Sequence, residues 1–173
     1  MMGKMHYIGG IGAGVATVYY LGGDLPSAYP LITGAVLGAI GGLAPDIDLE
    51  TSRISMHFWR TSKIFQKLGH RGYTHTLLAL CLLMAPVFLL RMYTPIPVAW
   101  LSAFLAFSGG YFMHLVQDSF TMLGVPWLKP LRKSKFKIAG FIAGNKLEGS
   151  ITFILITLYA YGMKVLVQSG FAL

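Results

Sequence analysis

Long apolar runs separated by polar segments dominate the pattern of this chain. A helix needs about 20 mostly apolar residues to cross the hydrocarbon core of a bilayer. Runs of this character, some of them short, occupy residues 7–21, 29–43, 77–92, 96–116 and 151–167. The pattern therefore predicts a bundle of about five membrane-spanning helices, joined by short outer turns and two longer polar loops.

Composition agrees with this prediction and excludes other classes of protein. Of the 173 residues, 55% are hydrophobic and only 12% are charged, with a formal net charge of +8. A soluble domain averages about 25% charged residues, and a nucleic-acid-binding protein carries its basic residues on a polar surface that is largely missing here. We therefore predict an all-α, polytopic integral membrane protein without a nucleic-acid partner. Because no linker-like stretch divides the chain, we expect a single domain over residues 1–173.

Small residues recur every four positions in the first two apolar runs, at Gly10 and Gly14 and at Gly34, Gly38 and Gly42. Residues four apart lie on one face of a helix, where small side chains let two backbones approach closely. A nucleotide-binding loop would need the spacing G-x-G-x-x-G after a strand, which the first run does not have. The spacing therefore indicates close packing of the first two helices.

The basic residues are distributed unequally between the two sides of the predicted bundle. With five spans, twelve of the 14 Lys and Arg residues fall on one side, and the other side holds Arg91 and Lys164. The positive-inside rule makes the basic side cytoplasmic. Because no clear cleavage site follows the first run, we expect a retained span with a cytoplasmic N-terminus rather than a signal peptide. The twelve residues are Lys4, Arg53, Arg60, Lys63, Lys67, Arg71, Lys129, Arg132, Lys133, Lys135, Lys137 and Lys146.

The loop between the second and third spans contains a basic amphipathic stretch that begins at Ile54 and ends near Gly69. Such a stretch is typical of a helix that lies on lipid headgroups. We therefore predict an interfacial helix on the cytoplasmic face, with His57 on its surface rather than in a site. Lys146 and the cluster at Lys129–Lys137 would attract anionic lipid, although a topology signal is the simpler explanation of the cluster.

Acidic and histidine side chains gather at the predicted cytoplasmic ends of the helices. His114 and Asp118 are four residues apart and share a helix face, and Asp46 and Asp48 end the second span beside a proline. Imidazole and carboxylate groups are common ligands of zinc and related metals, whereas a single such pair also occurs as a solvated helix end. Five segments that bring these groups to one side favour a metal site for two or three ions. Its candidate ligands are His6, Asp46, Asp48, His70, His75, His114, Asp118 and Glu148.

Four motifs along the chain carry a family resemblance. They are LAPDIDLETS (43–52), HRGYTHTLLA (70–79), GYFMHLVQDSFTMLGVPWLKPL (110–131) and GNKLE (144–148). In this order, and with His6 in the expected N-terminal place, they resemble the YdjM-type membrane-bound, metal-dependent hydrolases, some of which are under LexA control in bacteria. Ala44 and Thr76 stand where that family more often has Leu and Ser, which leaves the candidate ligands intact.

The resemblance implies a hydrolase of the inner membrane, and the family is distantly similar to zinc-dependent phospholipase C and P1-type nucleases. In that wider group a His-x-x-x-Asp pair on a helix and further His, Asp and Glu side chains hold a cluster of zinc ions. His114 and Asp118 match the pair. The soluble enzymes also use more histidines and an N-terminal amine, so the resemblance implies two zinc ions here, with three as the alternative.

These features together predict a phosphoester hydrolase that acts on lipid headgroups at the cytoplasmic surface. Two close metal ions would activate a bridging water and orient the phosphate. In this hypothesis Asp118 bridges the ions and His114 binds one of them. Asp46 or Asp48 holds the second ion or acts as the general base.

Three further side chains have predicted roles beside the ions. Arg71 lies between two candidate ligands in the sequence and would make a bidentate contact with a phosphate group. Thr74 and Thr121 would orient the neighbouring histidine and aspartate through hydrogen bonds. The expected partner, as substrate or surroundings, is membrane lipid with anionic headgroups.

Two other functions use the same residue types. A metal or ion transporter would usually place its acids and histidines near the bilayer midplane in broken helices, whereas here they lie at one end of the spans. A non-catalytic membrane protein would use a structural metal site to hold short helices together, but the surplus of carboxylates favours catalysis.

Overall fold

Six α-helices and one 3-10 helix lie among the described residues between Gly3 and Ser119. The structure is a computed structural model, and it describes residues 3–21, 29–67 and 69–140 together with residues 142, 144, 148, 150, 151, 154, 158 and 162. Within these residues the only strand-type pairing is an isolated antiparallel bridge between Val125 and Phe136. The all-helical class predicted from the sequence is confirmed. The helices are α1 (Gly3–Leu21), α2 (Tyr29–Leu43), α3 (Arg53–His57), α4 (Trp59–Gln66), α5 (Leu77–Tyr93) and α6 (Val98–Ser119), and the 3-10 helix Ala44–Asp48 follows α2 directly.

Four of the five predicted spans coincide with helices. α2 covers the predicted range 29–43, and the ends of α1, α5 and α6 lie within four residues of their predicted positions. The fifth predicted span, 151–167, lies mostly outside the described residues. Two helical segments are long and apolar enough to cross a membrane, Pro30–Asp48 and Val98–Ser119, and the apolar helix Leu77–Tyr93 is shorter. The other crossings stay a prediction.

α1 and α2 pack closely at the glycine positions that the four-residue spacing predicts, and α6 packs against α2 at a further glycine, Gly110. A Cβ atom on Gly38 would overlap the carbonyl oxygen of Gly10, and one on Gly110 would overlap the carbonyl oxygen of Gly38. Backbones this close leave no room for a side chain. The same packing presses the carbonyl oxygen of His6 against Gly42, which brings the first turns of α1 to the end of α2.

The outward surface of the helices is strongly apolar. Every residue of α5 is at least partly exposed, and Leu82, Phe88 and Met92 are each more than half exposed. Trp100, near the start of α6, is also largely exposed. Water would disfavour an apolar surface of this extent, and tryptophan is enriched at membrane interfaces. The surface is that expected of helices in contact with lipid.

The predicted interfacial stretch consists of two short helices, α3 and α4, with a break at Phe58. Phe58 and Trp59 are both more than half exposed. The charged groups of Arg60 and Lys63 lie 5.1 and 5.0 Å from the centroid of the Trp59 ring. His57 is exposed, as expected. Contact of this surface with headgroups stays a prediction.

A hydrogen-bonded turn holds the two aspartates that follow α2. Pro45 lies in the first turn of the 3-10 helix, and Asp46 and Asp48 are both buried in it. Ser52 caps α3 by accepting a hydrogen bond from the Ser55 amide at 3.1 Å, as serine commonly does at this position. The Ser52 hydroxyl also donates to the carbonyl oxygen of Asp46 at 2.7 Å. The cap of α3 therefore ties the aspartate turn in place.

The loop between α4 and α5 is held against α6 and the segment that follows it. Thr76 caps α5 through a bond from a backbone amide of the first turn. The Leu77 amide donates to the carbonyl oxygen of Trp127 at 3.0 Å, and the Tyr111 hydroxyl of α6 donates to the carbonyl oxygen of Thr74. These bonds place the histidines of the loop beside the end of α6.

Candidate metal centre

Three buried histidines and two buried aspartates converge where these elements meet. His6 comes from α1, Asp46 from the 3-10 helix after α2, His75 from the loop before α5, and His114 and Asp118 from α6. Each of the five is buried. We call these five residues the His–Asp cluster. All five were among the ligands predicted from the sequence.

One half of the His–Asp cluster is formed by Asp46, His75 and His114. The Nε2 atoms of His75 and His114 lie 3.1 Å apart. One carboxylate oxygen of Asp46, Oδ1, lies 3.8 Å from each of these nitrogens. Three ligand atoms of these types, this close to one another, have the composition and spacing of a metal site.

The other half of the His–Asp cluster is formed by His6, His114 and Asp118. His6 Nε2 lies 3.3 Å from Asp118 Oδ1, and the rings of His6 and His114 stack with their centroids 3.7 Å apart. His114 therefore belongs to both halves of the His–Asp cluster.

The two oxygens of Asp118 face different halves of the His–Asp cluster. Oδ1 faces His6, whereas Oδ2 lies 3.7 Å from the Nε2 atoms of both His75 and His114. A carboxylate so placed can bridge two ions, which is the role that the sequence hypothesis gave to Asp118.

Hydrogen bonds assign the tautomers of His6 and His114. His114 Nδ1 donates to the carbonyl oxygen of Gly42 at 2.7 Å. Gln117 Nε2 donates to the carbonyl oxygen of Met5, so its Oε1 atom is left to accept from His6 Nδ1 at 3.0 Å. The form of imidazole that binds metal is neutral and carries one proton, so in that form the Nε2 atom of each ring presents a lone pair to the His–Asp cluster.

The same reasoning assigns His75. Its Nδ1 atom faces Thr74 Oγ1 at 3.0 Å and Asp48 Oδ2 at 3.4 Å. The single hydroxyl proton of Thr74 goes to Asp48, so both neighbours of Nδ1 are acceptors and Nδ1 carries the proton. Burial lowers the pKa of His75 below its ordinary value, which favours the neutral ring with its Nε2 lone pair directed inward.

The donor set therefore fits a divalent metal ion. Two lone pairs face each other across 3.1 Å, with carboxylate oxygens of Asp46 and Asp118 around them. Without a cation these groups repel one another, and burying them is costly. Histidines that bind metal through Nε2 typically donate Nδ1–H to a carbonyl or carboxylate group, and His75 and His114 follow this pattern.

Asp48 and His70 lie beside the His–Asp cluster rather than in it. Asp48 accepts hydrogen bonds from Thr74 and from His70 Nδ1, the latter at 2.9 Å. The His70 side chain is 35% exposed. In the structure these two predicted ligands thus form an outer layer that orients His75.

Arg71 is buried and is engaged by Asp118. Its Nη2 atom lies 2.7 Å from Asp118 Oδ2, and its Nη1 atom donates to Thr121 Oγ1 at 2.7 Å. Thr121 in turn donates to the backbone carbonyl oxygen of Asp118, not to its carboxylate. Arg71 therefore borders the His–Asp cluster, as its place between two candidate ligands suggested.

Glu148, the remaining predicted ligand, is buried and accepts a hydrogen bond from the Gly144 amide at 2.6 Å. It belongs to neither half of the His–Asp cluster as the described residues define them. Lys146 lies outside the described residues.

Sequence reasoning missed Gln117. Its amide links Met5 to His6 and sets the tautomer of that ring. One signal was available, because Gln117 is three residues from His114 and a polar amide in an apolar helix needs a buried partner. The backbone acceptor at Gly42 carried no such signal, since any residue has a carbonyl group.

The fold and the site together define a class of protein. In its described part the chain is all-helical, has two helices able to cross a membrane, and buries a His–Asp cluster at the ends of its helices. The chain belongs to the YdjM inner membrane protein family, whose model matches residues 1–172. The family resemblance seen in the motifs is thereby confirmed, and so is membership of an inner membrane protein family.

Relatives from three bacteria are similar to this chain over most of its length. "Uncharacterized protein YvsG" of Bacillus subtilis (strain 168) is 37% identical over 131 residues, which is 75% of this chain and 74% of the relative. "Inner membrane protein YdjM" of Escherichia coli (strain K12) is 34% identical over 127 residues, which is 70% of this chain and 60% of the relative. The protein of the same name from Shigella flexneri matches equally. No solved structure matches significantly.

Proposed function

We propose that this protein is a metal-dependent hydrolase of phosphoesters at the membrane surface, with two zinc ions held by the His–Asp cluster. The observation that carries the proposal is the direction of the imidazole lone pairs. Each of the three rings has its Nδ1 proton bound elsewhere and turns Nε2 towards carboxylate oxygens of Asp46 or Asp118. A buried arrangement of this kind is expected where the native ligand is a cation.

The residues of the His–Asp cluster would bind two ions. His6 and Asp118 Oδ1 would hold one ion, His75 and Asp46 the other, and His114 lies within reach of both positions. Two ions bound there would activate water and stabilise the charge of a reacting phosphate. Asp118, with one oxygen towards each half, would keep the two positions together.

Besides holding an ion through Oδ1, Asp46 is the best candidate for the general base, through its second carboxylate oxygen. Its side chain is 11% exposed, compared with none for Asp48 and 1% for Asp118. Asp48 is also occupied by the hydrogen bonds of Thr74 and His70. A base must reach a water molecule and release its proton, and Asp46 is the carboxylate on the open side of the His–Asp cluster.

The proposed setting is the cytoplasmic face of a multi-pass inner membrane protein. Twelve of the 14 basic residues lie on the predicted cytoplasmic side, and the exposed Trp59 with its two cationic neighbours suits contact with anionic headgroups. The expected substrate is therefore a phosphoester of a lipid or another membrane-associated molecule. Labelling of a His57→Cys variant from each side of the membrane, in a chain whose native Cys81 is replaced by serine, tests the orientation.

A structural metal site is the alternative closest to this proposal. Its ion would hold α1, α2 and α6 together, but close packing at the glycines already joins these helices. Transport is less well supported, because the His–Asp cluster lies at helix ends and α1, α2 and α6 are unbroken up to it.

Hydrolysis by the purified protein tests the proposal. Detergent-solubilised protein is loaded with Zn²⁺ and incubated with mixed phospholipid micelles and with a chromogenic phosphodiester. We expect metal-dependent release of a phosphorylated or alcohol product, lost in Asp46→Asn and kept in the exposed-surface control His57→Ala. Stoichiometric metal without cleavage of any phosphoester would favour the structural alternative.

A further inference from the structure

Arg71 is an unusual residue of the loop before α5. Its backbone has a φ of +53°, a left-handed conformation that costs energy for any residue with a Cβ atom. Its side chain is only 7% exposed and borders the His–Asp cluster. A buried arginine with a strained backbone indicates that the fold holds its positive charge in a fixed orientation.

One end of the guanidinium group is anchored. Nη1 donates to the Thr121 hydroxyl at 2.7 Å and to the Gly124 carbonyl oxygen at 3.4 Å. Both acceptors belong to the segment that follows α6. These bonds fix the plane of the group without using its other edge.

On the other edge of the guanidinium group, only one of the two nitrogens has a partner among the described residues. Nη2 is paired with Asp118 Oδ2 at 2.7 Å, while Nε is buried and has no hydrogen-bond partner among the described residues. Nε–H and one Nη2–H point in parallel and form the fork that binds a carboxylate or phosphate through two oxygens. Asp118 cannot fill the fork because its second oxygen faces His6.

We infer that the Nε/Nη2 edge of Arg71 is an oxyanion subsite for a phosphate group, which Asp118 covers until metal binds. The inference rests on the proposed metal centre. Asp118 Oδ2 pairs with Arg71 and also lies 3.7 Å from His75 Nε2 and His114 Nε2, so a metal ion held by these nitrogens would compete with Arg71 for this oxygen. A metal ion that takes Oδ2 weakens the ion pair and frees the fork.

Metal and phosphate therefore bind with positive coupling. Coupling between two sites is reciprocal, so phosphate must raise the affinity for metal by the same factor that metal raises the affinity for phosphate. A permanent structural clamp on Asp118 would behave in the opposite way. Its removal would weaken metal binding, and phosphate would have no effect through it.

Zinc affinity with and without phosphate distinguishes these roles. The full chain in detergent competes for Zn²⁺ with a chromogenic chelator, in the presence of inorganic phosphate or of a short-chain phosphatidic acid. We expect either ligand to raise the zinc affinity about ten-fold in the wild type. A larger effect of the lipid identifies a headgroup as the source of the phosphate, and an equal effect identifies the phosphate group alone.

Two variants and one control complete the experiment. Arg71→Gln should lose the phosphate effect and bind zinc without phosphate at least as tightly as the wild type, because a competing cation is gone. Arg71→Lys keeps the charge without the fork and should lose most of the effect. Arg91→Gln, an exposed arginine in the last turn of α5, should behave like the wild type.

The results that would overturn this inference differ from those that would overturn the proposed function. An undiminished phosphate effect in Arg71→Lys, or zinc binding weakened ten-fold in a folded Arg71→Gln, would overturn the inference and leave the metal centre intact. If Arg71→Gln does not fold, Arg71→Lys decides alone. A wild type that binds no zinc overturns both the inference and the proposed function.

Discussion

His75 and His114 bring their Nε2 atoms within 3.1 Å of each other, although they belong to different segments of the fold. Each ring donates its Nδ1 proton to an acceptor behind it, so two lone pairs face across this short distance. We interpret this arrangement as a site built for a cation, and substitutions can test the contribution of each of its neighbours separately.

The ion pair between Asp118 and Arg71 should dominate the stability of the metal-free protein. Asp118→Asn leaves the buried guanidinium without its charged partner, so we expect a loss of about 3 kcal/mol in the free energy of unfolding. The double variant Asp118→Asn/Arg71→Gln should recover part of this loss, since neither charge is then left unpaired. The free energies of unfolding of the single and double variants are measured by SDS titration of the detergent-solubilised protein. No recovery in the double variant would show that the pair is not the source of the loss.

Gln117 should control zinc affinity although it is not a ligand. Gln117→Leu removes the acceptor of His6 Nδ1, so the ring is free to turn Nε2 away from Asp118. Loss of such an orienting partner typically costs 10- to 100-fold in metal affinity, and we expect a loss of about that size in a chelator competition. The matched control is Gln66→Leu, because the Gln66 amide donates to Ser62 within α4. Equal losses in both variants would contradict the role given to Gln117.

The glycine packing between helices should be intolerant of even a methyl group. Gly38→Ala places a Cβ atom against the carbonyl oxygen of Gly10, and the backbones must separate to accept it. We expect a loss of about 1–3 kcal/mol, measured as a lower unfolding midpoint. Gly140→Ala, where a Cβ atom would meet nothing within 4 Å, should leave the midpoint unchanged. A neutral Gly38→Ala would mean that α1 and α2 are not packed as described.

Trp59 should lie at the lipid headgroups. In reconstituted protein with Trp100 and Trp127 replaced by phenylalanine, brominated lipids should quench Trp59 fluorescence. Arg60→Gln and Lys63→Gln should each reduce the preference of this surface for anionic lipid by about 1 kcal/mol. Fluorescence that iodide quenches equally with and without vesicles would place Trp59 in water and contradict the interfacial prediction.

The helices could be predicted from the sequence because their ends are marked by changes in apolar character. α2 occupies the predicted range, and Pro45 stops it where the apolar run ends. His114 and Asp118 could be paired because residues four apart share a helix face wherever the helix lies.

The sequence could not predict which candidate ligands lie in the His–Asp cluster and which lie beside it. Asp46 and Asp48 lie on a 3-10 helix with three residues per turn, so side chains two residues apart point in very different directions. Asp46 faces the His–Asp cluster, whereas Asp48 faces His70 and Thr74. The sequence pattern indicates that the helix ends but does not determine the type of turn that follows.

His70 and His75 were equal candidates in the sequence for a similar reason. Arg71 reverses the local backbone with its positive φ and stands between them, so His70 is left partly exposed while His75 is carried into the His–Asp cluster. Such a conformation is rare for a residue other than glycine, and a motif with Gly72 next to it does not indicate which residue adopts it.

The metal content of the purified protein tests the central claim most directly. Elemental analysis of wild type, purified in detergent without added chelator, should find about two zinc or similar divalent ions per chain. His114→Ala, which removes the ligand common to both halves of the His–Asp cluster, should lower that number by at least one, while the exposed-histidine control His57→Ala should keep it. A wild type without stoichiometric metal, even after incubation with zinc, would contradict the claim that the His–Asp cluster is a metal centre.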